Sequence, residues 1–256
     1  MPFGSPYSYD GMGAWFGNRF NWLGLLRALW IITTPLKFLI AILLQRVPTT
    51  LAVRTPIGTI TLRLRNYESL KTLFGVFCRK DYATPSDQSL LFYDIGANIG
   101  FATVYFLSRN YNNLVRCFEP DETNLDWLKR NLAAFQGRVT IVNCAVTTQT
   151  GEAVIYRADS GKHSSIYRSK IATVPQRVST RSLEELLNEA SPAGFPKVVK
   201  LDVEGLEEEL VKSVKFENHP GLSRLVCEST MCSALIRRPH RRLVRNGYIE
   251  DLCFIG

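Results

Sequence analysis

The spacing of apolar positions changes character along the chain, and each change predicts a different element. Residues 1–21 are rich in Gly, Pro, Ser, Tyr and Asn without periodicity and read as a loose tail. Trp22 to Leu44 is then strongly apolar, with Arg27 and Lys37 as its charges and Pro35 as its one proline. That run is about as long as the ~20 residues a bilayer core requires, so residues 22–46 predict a hydrophobic helix with two readings. In one, 22–44 associates with a membrane as an anchor or an in-plane helix, Trp22 and Trp30 sitting at the interface and the cations snorkelling. In the other, the helix caps the apolar side of the domain. A cleaved signal peptide is disfavoured, because no small-x-small site follows the run.

Residues 47–87 form a leader of a different kind. TPIGTITLRLRN alternates Ile57, Ile60, Leu62 and Leu64 around a Pro-Ile-Gly turn, which predicts a hairpin or an edge strand. YESLKTLFGVFCRKDY brings Leu70, Leu73, Phe74 and Phe77 to helical spacing and predicts a short amphipathic helix. Across 88–256 the pattern alternates. LLFYDIG, VRCFEP, RVTIVNCAV, KVVKLDVEG and SRLVCES are short strand-like runs, separated by helical stretches such as NIGFATVYFLSRN and ETNLDWLKRNLAAF. Another helix starts at Ser182, with Glu185 three residues on as a capping box. Such alternation implies an α/β domain with a mostly parallel sheet, helices on both faces, and ligands at the carboxyl ends of the strands.

Composition adds bounds. The chain has 256 residues, 46% of them hydrophobic, enough for one α/β domain with a proper core and an extension. A formal charge of +8 permits an acidic partner without demanding one. The six cysteines contain no C-x-x-C pair, and Cys117, Cys144 and Cys227 sit inside apolar runs. Neither a zinc site nor a disulfide framework is supported. A reducing, cytoplasmic setting is expected, with the membrane reading of 22–44 left open.

Candidate chemistry starts at LFYDIGANIG, Leu91 to Gly100, where an apolar strand meets Asp94, Gly96 and Gly100. A turn from strand to helix offers free backbone N–H groups, and the glycines let a ligand and the next element approach the backbone. The dinucleotide fingerprint would want glycine at positions 98 and 101, where this chain has Asn98 and Phe101, so the pyrophosphate reading has no warrant. Glu119 ends the second strand, 23 residues after Gly96, where a carboxylate accepts from ribose hydroxyls. A ribose, no pyrophosphate, and an ammonium group suited to Asp94 together describe S-adenosylmethionine.

With these residues in view the chain resembles the FkbM methyltransferases, a branch of the class I S-adenosylmethionine-dependent fold. The resemblance rests on DIGANIG (94–100), FEP (118–120), NCAV (143–146) with TGE (150–152), and KLDVEG (200–205) followed by Glu207 or Glu208; it spans about residues 55–250. It implies a Rossmann-like methyltransferase domain over 88–256. Asp94, Gly96 and Asn98, with Gly100 in the same motif, would line the methionine end, bordered by Asp202. Glu119 would hold the ribose, and Asn143 to Ala145 would lie along the adenine. The implied reaction is O-methylation of a hydroxyl on a glycan, lipid-linked sugar or secondary metabolite. Class I domains usually finish with an antiparallel strand pair, whereas GYIEDLCFIG supplies about one strand, so an abbreviated end is expected.

KLDVEG also carries its own argument. On a strand, Asp202 and Glu204 would share a face, and two carboxylates near the strand's end can orient an acceptor hydroxyl, take its proton or hold a cation. The alternative is that one of them caps the helix beginning at Gly205, with Lys200 neutralising the pair. His163, in the polar stretch SGKHSSIYR that could cover the substrate, is a further catalytic candidate, although a lone loop histidine is more often solvent-exposed. Asp81 and Tyr82 read either as a cover over the cofactor or as a surface turn. Ile236 to Arg245 holds five arginines and a histidine; it reads as an anion-binding segment or as a solvated helix face. A nucleic-acid methyltransferase is the weaker alternative, because Asp202-Val203-Glu204-Gly205 stands where amino-group enzymes carry Asn/Asp-Pro-Pro-aromatic. A non-catalytic membrane-associated module with the same fold is the other.

Overall fold

The long apolar stretch does not become one helix. In the computed structural model, which describes residues 19–84, 88–158, 164–168, 170, 172–192 and 194–255, it folds as α1 (Arg19–Ile31) and α2 (Pro35–Leu44). The break is held by tertiary bonds: the Thr33 N–H and hydroxyl both donate to the Ala52 carbonyl, at 3.0 and 3.2 Å. Pro35 stands in the first turn of α2, where its missing N–H costs nothing. Among the described residues no helix is long and apolar enough to cross a membrane. The single helix over 22–46 is thereby corrected to two. Asn21, read as tail, lies within α1 and is buried.

β1 (Thr50–Thr55) and β2 (Gly58–Arg63) make the expected hairpin, with Thr55 opposite Gly58. α3 (Tyr67–Leu73) starts at a reciprocal cap between Asn66 and Ser69 and runs into a π-helical turn, Phe74–Arg79, in which every residue from Phe74 to Cys78 is buried. The main domain then alternates as anticipated. β3 (Leu91–Ile95), α4 (Phe101–Leu107), β4 (Leu114–Phe118), α5 (Glu122–Leu132) and β5 (Val139–Val142) come first. A separate three-stranded sheet follows, from β6 (Ala145–Thr147), β7 (Gly151–Ala158) and β8 (Ala172–Ser182), so the run RVTIVNCAV divides between two sheets. The chain closes with α6 (Leu183–Asn188), β9 (Lys197–Leu201), α7 (Glu207–Lys212), β10 (Leu222–Cys227), α8 (Cys232–Leu235), β11 (His240–Arg245) and β12 (Ile249–Phe254). The Ser182 hydroxyl caps α6 by accepting from Glu185 N–H at 3.1 Å, while the Glu185 carboxylate turns to Arg181 and Thr150.

The central sheet has the order β11-β12-β10-β9-β3-β4-β5, with β10 through β5 parallel and β12 and β11 added antiparallel. Two expectations change here. The second part of the arginine-rich run, His240–Arg245, is an edge strand, β11, and the antiparallel pair at the end of the sheet is present. Arg242 pairs with Glu250, and Arg224 and Arg245 with Asp251, so part of that charge neutralises two buried carboxylates. Burial alternates with the pleat of β3. Phe92 enters the core shared with α4, α5 and the leader, while Tyr93 and Ile95 enter the core under α6 and α7. The first of these cores runs unbroken from Ala28 to Val198, so α1, α2 and the hairpin are packed into the same body as the sheet.

Candidate functional site

Chain order reverses between β3 and β9: successive strands run outward from β3 through β4 to β5, and from β9 to β10 on the other side. Loops leaving such a switch point diverge and open a crevice at the carboxyl ends. Asp94 and Lys200 are direct partners across it. Both are buried, and Lys200 Nζ lies 3.0 Å from Asp94 Oδ1 and 3.2 Å from Asp202 Oδ2, and donates to the Gly96 carbonyl at 2.9 Å. Burial alone would lower the Lys200 pKa, but Asp202 and Asp94 outweigh it and raise it overall, so the ammonium keeps its charge. The second oxygen of Asp94 accepts from Thr103 Oγ1 at 2.6 Å. Asp94 therefore sits beneath the turn with both oxygens engaged. The carboxylate that reaches solvent is Asp202, whose side chain is 23% exposed.

Gly96 has a φ of +76°, and a Cβ there would lie 1.8 Å from the Asp202 carbonyl oxygen. What approaches the Gly96 backbone is thus the loop after β9. Asp202 N–H donates back to the Ile95 carbonyl at 3.2 Å, completing the join between the two loops. Gly100, at φ +90°, faces Leu128 of α5, so it serves helix packing. Asn98 adopts a left-handed conformation, φ +51°, and its N–H donates to Glu119 Oε2 at 2.7 Å.

Glu119 is 4% exposed and organises the second half of the crevice. Its Oε1 accepts from Asp121 N–H at 2.9 Å and from the Asn124 amide at 3.3 Å. Burial pushes its pKa up to about 7, against the pull of the Asp121 and Asn98 backbone donors. A carboxylate offers about four acceptor positions, and these three donors leave one on Oε2. The turn after β5 lies close by: Asn143, exposed, accepts at its carbonyl from Ser179 Oγ at 3.1 Å. Its side-chain amide, in the orientation that suits its neighbours, donates to the Glu119 and Pro120 carbonyls at 3.3 Å each. Ala145 begins β6 and is buried.

The pairing of Asp202 with Glu204 on one strand face does not hold. β9 ends at Leu201, and Glu204 sits in a bend at φ +55°, its carbonyl accepting from Ser165 Oγ at 2.9 Å. The period-two argument fails because the strand stops before Asp202. Nor does a helix begin at Gly205; α7 starts at Glu207, and the Glu207 carboxylate shapes the loop by accepting from Val203 N–H at 2.8 Å and Gly205 N–H at 2.9 Å. Burial pushes Glu207 up to about 7 as well.

Other residues fall into place around this core. Tyr82 donates to Asp202 Oδ2 at 3.3 Å, and its ring stands under the Lys200 ammonium, 5.4 Å from the centroid. Burial raises the Tyr82 phenol well above its ordinary value, with Asp202 and Glu228 adding to it. Asp81 points away, to Arg79, Asn246 and Tyr248, and ties the β11–β12 turn to the π-helical turn. His163 lies outside the described residues. Its neighbours Ser164 and Ser165 reach Asp121 Oδ2 and the Glu204 carbonyl, and so link the Glu119 side to the Asp202 side. Sequence reading named Glu207 only as an alternative to Glu208 in the motif, and undervalued Lys200. The signal for Lys200 was a cation at an otherwise apolar strand position two residues from Asp202. Among the described residues no group of three metal-ligating side chains converges.

A family profile described as the methyltransferase FkbM domain matches residues 94–232, more than half of the chain. The chain belongs to the FkbM methyltransferase family. No curated protein matches. Among solved structures, the chain is similar to an FkbM methyltransferase from Methylobacillus flagellatus at 15% identity and a TM-score of 0.43, over 74% of this chain and 54% of that one. It is similar to the putative methyltransferase yhhF from Escherichia coli at 18% identity and a TM-score of 0.37, over 64% of this chain and 75% of that one. A Pyrococcus abyssi tRNA (uracil-54, C5)-methyltransferase in complex with S-adenosyl-L-homocysteine is similar at 13% identity and a TM-score of 0.37, over 80% of this chain and 44% of that one. The chain thus spans about half the length of the Methylobacillus protein. In this FkbM domain the family motifs map onto the crevice: DIGANIG on the turn from β3 to α4, FEP at the end of β4, KLDVEG at the end of β9.

Proposed function

We infer that this domain binds S-adenosylmethionine in the crevice at the carboxyl ends of β3 and β4 and methylates a hydroxyl of a glycan, lipid-linked sugar or secondary metabolite beside Asp202. The observation that carries the reading is the pair of carboxylates on either side of the crevice: Glu119 with one acceptor position left, and Asp202, partly exposed and fixed by Lys200 and Tyr82. The residues fit such a cofactor. Glu119 offers an acceptor to a ribose hydroxyl, the Asn143–Ala145 turn borders it, and Asp202 is the carboxylate accessible to an ammonium group or to an acceptor hydroxyl. Asp94 takes part through Lys200 and Thr103.

When bound, S-adenosylmethionine supplies a methyl group already activated on a sulfonium. The protein's share is then alignment in a dry pocket and help with the hydroxyl proton. Asp202 is held at Oδ2 by Lys200 and Tyr82, and this partly exposed, oriented carboxylate would accept a hydrogen bond from the acceptor hydroxyl and take its proton. Lys200 keeps the two carboxylates, Asp94 and Asp202, from repelling each other in a low-dielectric site. Glu204 and Glu207 set the shape of the loop that carries Asp202.

Labelled S-adenosylmethionine, incubated with the protein and fractionated cell extract, tests the reading by showing which pool gains label. Asp202→Asn keeps the shape and should keep cofactor binding by calorimetry, while transfer falls by a factor of roughly 10² to 10⁴, the range for a lost general base. Unchanged turnover by Asp202→Asn would rule out its role as base, and label in nucleic acid alone would replace the acceptor class.

A further inference from the structure

α1 and α2 carry an apolar face that is exposed among the described residues. Nine large apolar side chains between Trp22 and Leu44 are 45% to 80% exposed. The most open are Trp30 at 80%, Leu36 at 69%, Leu43 at 67% and Leu26 at 62%. On α1, positions 22, 26 and 30 repeat every fourth residue and form one stripe; on α2, 36, 40 and 44 do the same. The opposite sides, with Ala28, Ile32, Phe38 and Ala41, are buried in the core. A contiguous apolar surface of this kind marks an interaction site.

Charge identifies the partner. From Gly11 to Tyr67 the sequence has seven cations (Arg19, Arg27, Lys37, Arg46, Arg54, Arg63 and Arg65) and no Asp or Glu; the rest of the chain holds the other 24 cations against all 23 acids. Almost the whole net charge of +8 is therefore concentrated in the segment that bears the apolar face. Lys37 on α2 and Arg46 just beyond it are exposed, and Arg54 holds the end of α1 through the Trp30 and Ile32 carbonyls. Apolar stripes with interfacial tryptophan and a cationic border, free of carboxylates, are complementary to an anionic lipid surface.

We propose that α1 and α2 lie in the plane of a membrane and dock this domain on anionic lipid headgroups. Length and anchorage decide for lying over crossing. The helices have 13 and 10 residues, about 20 and 15 Å at 1.5 Å per residue, against a hydrocarbon core of about 30 Å. Fusing them into one span would break the bonds from Thr33 and Arg54 and expose Ile32 and Phe38. The docked face is joined to the candidate site. Asn21 at the start of α1 accepts from Arg79 Nη1, Arg27 donates to the Cys78 and Arg79 carbonyls, and three residues beyond Arg79 stands Tyr82, bonded to Asp202. Docking would thus seat the π-helical turn between the lipid surface and the rim of the crevice.

The test is flotation of the full chain with vesicles of phosphatidylcholine alone and of phosphatidylcholine with phosphatidylglycerol, read also by tryptophan emission. Wild-type protein should float with the anionic vesicles, shift its emission to the blue, and come off as salt rises. Leu26→Glu with Leu43→Glu changes only exposed positions, so melting should stay near wild type while vesicle partition falls at least about tenfold. Lys37→Glu with Arg46→Glu should remove the preference for anionic vesicles, at about fivefold per cation at the surface. Methyl transfer is not the readout, so failure here is separable from failure of the proposed reaction. Absence of flotation, equal partition onto neutral and anionic vesicles, or wild-type partition by the Leu26/Leu43 variant would each overturn the proposal. So would a dimer in sedimentation that the same variant dissociates while wild type ignores vesicles, because a second copy would then be the occupant.

Discussion

Gly96→Ala probes the join on which the site depends. The added Cβ would stand 1.8 Å from the Asp202 carbonyl oxygen and 2.9 Å from its carbonyl carbon, both backbone atoms of the loop after β9. Neither can swing aside as a side-chain tip would. A φ of +76° adds a strain of about 1 to 2 kcal/mol for a residue with a Cβ. Displacing the loop costs about 1 to 3 kcal/mol more, the usual range for overpacking. The sum, about 2 to 5 kcal/mol, is a large part of a typical stability of about 5 to 15 kcal/mol, and corresponds to a melting temperature lower by about 4 to 20 °C for a chain of this size. Gly137→Ala is the matched control: its φ of +85° imposes similar strain, but nothing lies within 4 Å of its Cβ position. Urea denaturation of both variants separates strain from collision. The collision should appear as an extra loss in Gly96→Ala, accompanied by weakened binding of S-adenosylmethionine in calorimetry because the turn at Gly96 that borders the crevice is displaced. Equal destabilisation of the two variants would refute the argument that the Asp202 carbonyl is what requires glycine at 96.

Lys200→Met should cost about 3 to 5 kcal/mol in denaturant melts by leaving the Asp94 carboxylate buried without its partner; adding Asp94→Asn should recover part of that, and strictly additive losses would mean the two do not act as a pair. Stability should also fall as pH rises from about 4.5 to about 7. Glu119 and Glu207 are pushed up from 4.5 to about 7 by burial, so the folded state binds their protons more tightly, with no penalty below the unfolded value and a full one above the folded value. Glu119→Gln should flatten its share of that slope, and an unchanged pH profile would show that Glu119 is not the titrating group. Asn131→Ala should cost about 1 to 3 kcal/mol, since its buried amide joins the Arg63 N–H, at 2.8 Å, to the Ile99 carbonyl, at 2.8 Å, and so ties the leader hairpin to α5 and the turn after β3; a melt unchanged from wild type would show the leader to be held by its apolar contacts alone.

Features set by neighbours in sequence were legible before any fold was known. The five parallel strands, the helix cap at Ser182, the β1–β2 hairpin, the glycine turn at Gly96 and the strand end before Glu119 all follow from periodicity, side-chain caps and glycine positions, which act within a few residues. Features that depend on where a second segment passes were not. Composition alone made one long helix of 22–46, and the bonds that Thr33 donates to the Ala52 carbonyl and Arg54 donates to the Trp30 carbonyl hold the break at Thr33. The arginines of 236–245 read as an anion-binding segment or a solvated helix face, whereas strand β12 offers those of 240–245 a ladder and the buried Glu250 and Asp251. At the site, the sequence named Asp94, Glu119 and Asp202 but not their division of labour. Asp94 was read as a ligand contact and is enclosed by Lys200 and Thr103; Glu204 was read as the partner of Asp202 and is turned away by the end of β9. A carboxylate's role is set by which cation and which backbone donors arrive from elsewhere in the chain, and those encounters are fixed only when loops from separate strands meet at the switch point of the sheet.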